Sequence, residues 1–71
     1  MIDKIYVDAA QQATLNDGAG KLIDYPTLQE AVMAWHRLRP ELTKRATIKV
    51  FGGPVYTATE IVRLRFGPKP A

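Results

Sequence analysis

Apolar side chains recur at spacings of three and four residues between Thr27 and Leu38, in the stretch T-L-Q-E-A-V-M-A-W-H-R-L. Leu28, Ala31, Val32, Trp35 and Leu38 fall on one stripe of a 3.6-residue period, which predicts an amphipathic helix. Thr27 stands at the N-cap position and Glu30 follows three residues later. That spacing suits a capping box: the Thr27 hydroxyl accepts from the Glu30 amide, and the Glu30 carboxylate reaches back to the Thr27 amide. Pro26 is harmless just before a helix. Arg37 and Arg39 suit the negative C-terminal end, and Pro40 predicts a stop near Arg39 because it disfavours the α region at the residue before it. A helix of about 12 residues is roughly 18 Å long and marginal alone in water, so its stripe needs a partner layer.

Elsewhere the period shortens to two. In Ala46–Phe51, Ile48 and Val50 alternate with Thr47, Lys49 and Phe51, which predicts a strand with Ile48 and Val50 inward. Gly52-Gly53-Pro54 ends it, and Val55 and Tyr56 can return as a short hairpin arm that Pro54 limits at its start. Near the N-terminus, Ile5, Tyr6 and Val7 predict a strand over residues 3–8, and Lys21–Tyr25 predicts a second. Asn16-Asp17-Gly18-Ala19-Gly20 is the clearest turn, since its glycines permit positive φ. The two strands are therefore expected to form a loosely looped hairpin that feeds the helix. Ala9–Leu15 is rich in helix formers and offers a short helix as an alternative continuation of the opening segment. Glu41–Arg45 reads as a connection.

The last segment supports two readings. Thr57 and Glu60 repeat the capping-box spacing, and Gly67-Pro68 makes a good stop, which predicts a helix over Ala58–Phe66. The alternative is a strand, because Val62, Leu64 and Phe66 alternate with Arg63 and Arg65. Residues 25–32 and 55–62 echo each other at a spacing of 30, through Thr27 and Thr57, Glu30 and Glu60, and Val32 and Val62. Two such copies share a way of starting a helix and do not make a repeat architecture.

These elements predict a small two-layer α+β domain of order ββαβ, closed by a short C-terminal helix or, alternatively, a final strand. Residues 1–66 are expected to form one domain and residues 67–71 a flexible tail. A 71-residue chain has room for one core. It has no cysteine, so neither disulfides nor thiolate metal sites reinforce that core. Pairing with a second copy is another route to reinforcement, and a twofold dimer is its commonest form. No apolar run approaches the roughly 20 residues that cross a bilayer, and M-I-D-K does not open a secretory signal. The expectation is a cytoplasmic protein with no membrane partner.

Charge adds an asymmetry to the formal +3. Residues 1–30 carry five acids and two bases, whereas residues 31–71 carry eight bases and two acids. On folding, the halves either neutralise each other or leave a basic face.

Candidate chemistry is sparse. His36 is the only histidine, and no nucleophile or orienting acid sits near it in sequence, so it reads as a surface or boundary residue. The aspartates are scattered, and Asp17-Gly18 lacks the alternating ligands and terminal glutamate of a calcium loop. Neither Gly18-Ala19-Gly20 nor Gly52-Gly53-Pro54 completes a phosphate-binding motif. No cofactor, metal or catalytic group is expected.

Two interaction readings follow. The leading one is a non-enzymatic protein-interaction domain, with a homodimer as the natural self-partnered form. Its candidate contacts are Met33, Trp35, Arg37, Arg39 and Leu42, where a large apolar helix residue adjoins bases. Trp35 has a competing assignment as core. The alternative is a weak electrostatic nucleic-acid binder using Arg37, Arg39, Lys44, Arg45 and Lys49.

Overall fold

Strand alternation places Ala13, Leu15, Ile48 and Val50 on one face of a sheet, and all four are buried. The computed structural model describes residues 4–67. Within them the chain runs β1 (Ile5–Val7), β2 (Ala13–Asn16), β3 (Leu22–Tyr25), α1 (Leu28–His36), α2 (Pro40–Thr43), β4 (Thr47–Val50), β5 (Val55–Tyr56), α3 (Ala58–Ile61) and β6 (Leu64–Phe66). It is a small α+β domain with a ββαβ-type arrangement that ends in a strand. Strands β3-β2-β4-β5 form an antiparallel sheet in that order, and β1 pairs with β6 in a parallel two-stranded ladder.

The inner face of the larger sheet is set by register. Leu15 pairs with Ile23 on one side and Ile48 on the other, and Ala13 lies between Tyr25 and Val50. Leu28, Ala31, Val32 and Trp35 of α1 cover these rows, and Ile61 and Leu64 complete the core. The predicted inward pair of β4, Ile48 and Val50, is the pair found.

Two expectations are corrected at the N-terminal end. The strand that pairs with Leu22–Tyr25 is Ala13–Asn16, not the opening one. The helix offered over Ala9–Leu15 is absent: Ala13–Asn16 is a central strand, flanked by β3 and β4. The cause of the divided opening is local. Asp8 Oδ1 accepts from Ala10 N–H at 2.9 Å, which bends the chain after β1. β1 then joins β6 across the domain instead of pairing with its neighbour in sequence.

The caps work largely as the sequence implies. The Thr27 hydroxyl accepts from Glu30 N–H at 3.2 Å and donates to Glu30 Oε2 at 3.1 Å. The carboxylate thus takes the hydroxyl instead of the expected Thr27 amide. At α3 it does take the amide, with Thr57 N–H donating to Glu60 Oε1 at 3.1 Å. α1 stops at His36, short of the expected end near Arg39, because Arg37 and Leu38 donate to Ala34 and Trp35 in a tightened last turn. Arg39 is extended, as a residue before proline should be, and Pro40 then opens α2. The expected connection over Glu41–Arg45 is therefore largely the end of a helical turn. The closing segment realises both readings in series: a one-turn helix to Ile61, then a strand from Leu64. Apart from Gly67, the tail expected over residues 67–71 lies outside the described residues.

Gly18 and Gly20 both have positive φ, of 81° and 94°. A Cβ on Gly18 would lie 3.1 Å from Arg45 Cβ and from the Leu42 carbonyl, whereas one on Gly20 would meet nothing within 4 Å. Alanine at either site should cost about 1–2 kcal/mol of left-handed strain. Gly18→Ala should be the more destabilising of the two in urea unfolding, because it also pushes on the segment after α2. In the same assay, Leu15→Ala should lose about 2–5 kcal/mol with little change in slope.

Candidate interaction site

Among the described residues, β3 has a strand neighbour on one side only. Asp17 N–H donates to Lys21 O at 3.0 Å, which makes that pair the hydrogen-bonded one next to the turn. Antiparallel pairs alternate, so the main-chain groups of Ile23 and Tyr25 point at β2, and those of Leu22 and Asp24 point away from it. These outward N–H and C=O groups form an open edge. The opposite edge, β5, has two residues, follows Pro54 directly and leads straight into α3. Proline and short length are ordinary protections of a sheet edge. β3 lacks them until Pro26. Its one charged side chain does not guard the edge either. The Thr14 hydroxyl donates to Asp24 Oδ1 at 2.6 Å, which draws the carboxylate over β2.

A cleft of about 280 Å³ lies beside this edge on the helix side. Its walls are Tyr25 from β3 and Glu30, Met33, Ala34 and Arg37 from α1. The helical residues are three, four and seven positions apart, so they form a second stripe next to the core stripe. Met33 is about half exposed, at 48%. On the other side of the sheet, a depression of about 450 Å³ runs across all four strands, with Leu22, Asp24, Thr14, Thr47, Lys49 and Val55 among its walls. Leu22 there is 66% exposed. The depression is the larger of the two, but it is the outward face of the twisted sheet itself. β3 is the element that contributes to both.

Among the sequence-predicted contacts, Met33 and Arg37 share the cleft. Trp35 does not join them. It is 6% exposed and belongs to the core, as its competing assignment had it. Arg39 is the exposed N-cap of α2, and Leu42 is half buried within α2. Among the bases, Arg37, Arg39, Lys44 and Arg45 are exposed in the segment between the end of α1 and the start of β4. Lys49 is separated from Arg37 by the sheet, since it lies with Asp24 on the outer face while Arg37 lies with Tyr25 on the inner side. The five bases therefore do not share one face.

The acids of the N-terminal half are engaged in local structure. Asp8 and Asp17 accept from main-chain N–H groups in turns, Asp24 holds Thr14, and Glu30 belongs to a cap. Among the described residues, these hydrogen bonds come from main-chain amides and hydroxyls, not from Lys or Arg side chains. His36 is exposed, with its ring edge-on to Trp35 at 4.9 Å and 82°. Among the described residues, no group of three or more His, Asp or Glu is arranged to hold a metal ion, and no helix is long and apolar enough to cross a membrane.

Sequence reasoning missed Leu22, Tyr25 and Glu30 as parts of this site. Glu30 was explained by its cap, and the open edge depends on strand order. The chain matches no family model, and no match is found among curated proteins or solved structures.

Trp35 Nε1 is buried with no hydrogen-bond acceptor among the described residues. A buried unpaired donor costs about 1–3 kcal/mol. Trp35→Phe removes that donor while keeping an aromatic ring, so it should cost less than half of the about 3–5 kcal/mol expected for Trp35→Ala. Chemical denaturation of the two variants checks the difference.

Proposed function

We propose that this domain is a non-enzymatic protein-interaction module, which binds an extended polypeptide segment along the free edge of β3. The observation that carries this reading is the unprotected edge at Leu22–Tyr25 with a cleft alongside it. An added strand gains its affinity from main-chain hydrogen bonds and its specificity from pockets for alternate side chains. The outward groups of Leu22 and Asp24 supply the first, and the Tyr25–Met33–Arg37 cleft supplies the second. Arg37 favours an acidic group on the incoming segment, and Met33 adapts to an irregular apolar one. We place this activity in the cytoplasm, with which a cysteine-free chain is compatible.

A second reading is weak electrostatic binding of nucleic acid. Four exposed bases close in sequence, Arg37, Arg39, Lys44 and Arg45, favour it. Lys49 lies on the outer sheet face, away from Arg37.

Titrations of isotopically labelled protein separate the two. A short peptide of alternating apolar and acidic residues should shift the amides of residues 22–25 and the methyl signal of Met33. A single-stranded oligonucleotide should leave those signals unchanged. Shifts with the oligonucleotide that cluster at Arg37–Arg45 and fade with added salt would favour the second reading. Peptide shifts confined to the outer face at Thr14, Thr47 and Lys49 would sink the edge-strand reading.

A further inference from the structure

We infer that the segment bound at the β3 edge is β3 of a second copy of this chain, related by a twofold axis, so that two sheets join into one. This rests on the edge-strand reading above and names its partner.

The register follows from which groups are free. Only the Leu22 and Asp24 main-chain groups of β3 point outward, so a twofold antiparallel pairing has few choices. Pairing Asp24 with its own copy would set two carboxylates directly opposite, which is unfavourable. It would also bring Leu22 opposite Pro26, which has no N–H to offer. Pairing Leu22 with its own copy would set Asp24 opposite Gly20, which lies outside β3 with a φ of 94°. Pairing Leu22 with Asp24 of the other copy avoids all of these and uses the whole strand. The axis then passes through Ile23, which meets its own copy on the helix side of the sheet.

The helix fits the same axis. From Ile23 to Pro26 the strand covers about 10 Å. From Thr27 back to the midpoint between Met33 and Ala34, α1 also covers about 10 Å. For a helix that returns antiparallel to β3 after this two-residue link, the cleft stripe is centred level with the proposed axis. Its two ends carry opposite charges, Glu30 near the start and Arg37 near the end. A twofold rotation about that centre sets Glu30 of each copy toward Arg37 of the other, with Met33 and Ala34 between. A surface with this order, acid–apolar–base, is complementary to itself, as an isologous contact requires. No carboxylate of its own chain is hydrogen-bonded to Arg37 among the described residues, so the guanidinium is free to make this pair.

Sedimentation velocity over a concentration series tests the assignment. The wild-type chain should approach twice its 7.9 kDa mass as concentration rises. Leu22→Pro removes an outward donor while leaving the bonds to β2 in place, and it should hold the chain at 7.9 kDa with an unchanged circular dichroism spectrum. Arg37→Glu replaces each attraction by a repulsion and should weaken the dimer by about tenfold or more. Combining it with Glu30→Arg restores opposite charges, and dimerisation should return toward the wild-type level. This recovery is a readout that loss of folding cannot mimic. A dimer indifferent to both Leu22→Pro and the charge swap would overturn the inference by placing the contact elsewhere. A monomer at every concentration would also overturn it. In that case, peptide-induced shifts at residues 22–25 would leave the edge-strand reading standing with a different partner, and their absence would remove both.

Discussion

The fold depends on β2, a strand of four residues paired on both sides. Leu15 alone links three strands, with Ile23 and Ile48 as its cross-strand neighbours, and α1 packs over the same surface. A short chain can bury only a modest fraction of its surface, so each inward residue of this strand weighs heavily. The outward residues serve a different purpose. Thr14 fixes Asp24, and Asn16 Oδ1 accepts from Gly18 N–H at 3.0 Å in the following turn. One four-residue strand thus sets the core on one face and holds both the turn and the edge strand on the other.

That arrangement explains how the candidate site is built. β2 positions β3, and β3 ends at Pro26, which delivers the chain to the Thr27 cap after a two-residue connection. With so short a link, α1 must return alongside the strand it has just left. Its core stripe lies on the sheet and its neighbouring stripe overhangs the edge. The cleft is thus a by-product of a tight strand-to-helix connection and of β3 being the outermost strand of its sheet among the described residues. Gln29 N–H donates to Ala9 O at 3.3 Å, so the loop after β1 also steadies the start of α1.

Much of this was legible in sequence wherever a local rule and the tertiary fold agree. Leu28, Ala31, Val32 and Trp35 declared a helix through period and cap together, and Ile48 and Val50 declared an inward strand face. Ala13–Asn16 was illegible because alanine and glutamine before Thr14 favour helix, and only pairing on both sides makes this segment a strand. The last segment was ambiguous for a sound reason. The cap at Thr57 and the alternation from Leu64 were both true signals, belonging to two consecutive elements too short to separate by pattern. At the site, Met33 and Arg37 could be picked out as leftovers of the helix stripe. Tyr25 and Leu22 could not, because an edge is a property of strand order, which pattern alone does not carry. Trp35 shows the converse: a large aromatic beside bases resembles a contact, yet its stripe takes it inward.

The parallel ladder of β1 and β6 joins segments at opposite ends of the described chain, with Ile5 beside Leu64 and Val7 beside Phe66. Parallel strands begin at the same end, so the chain enters β1 at one end of this ladder and leaves β6 at the other. A pull applied to both sides would draw the strands lengthwise past each other. Their hydrogen bonds would bear the load together instead of parting one at a time, as they do when a hairpin is peeled. The pair is therefore placed as a clasp that resists tension along the chain, and the rest of the domain is shielded from stretching until that clasp slips.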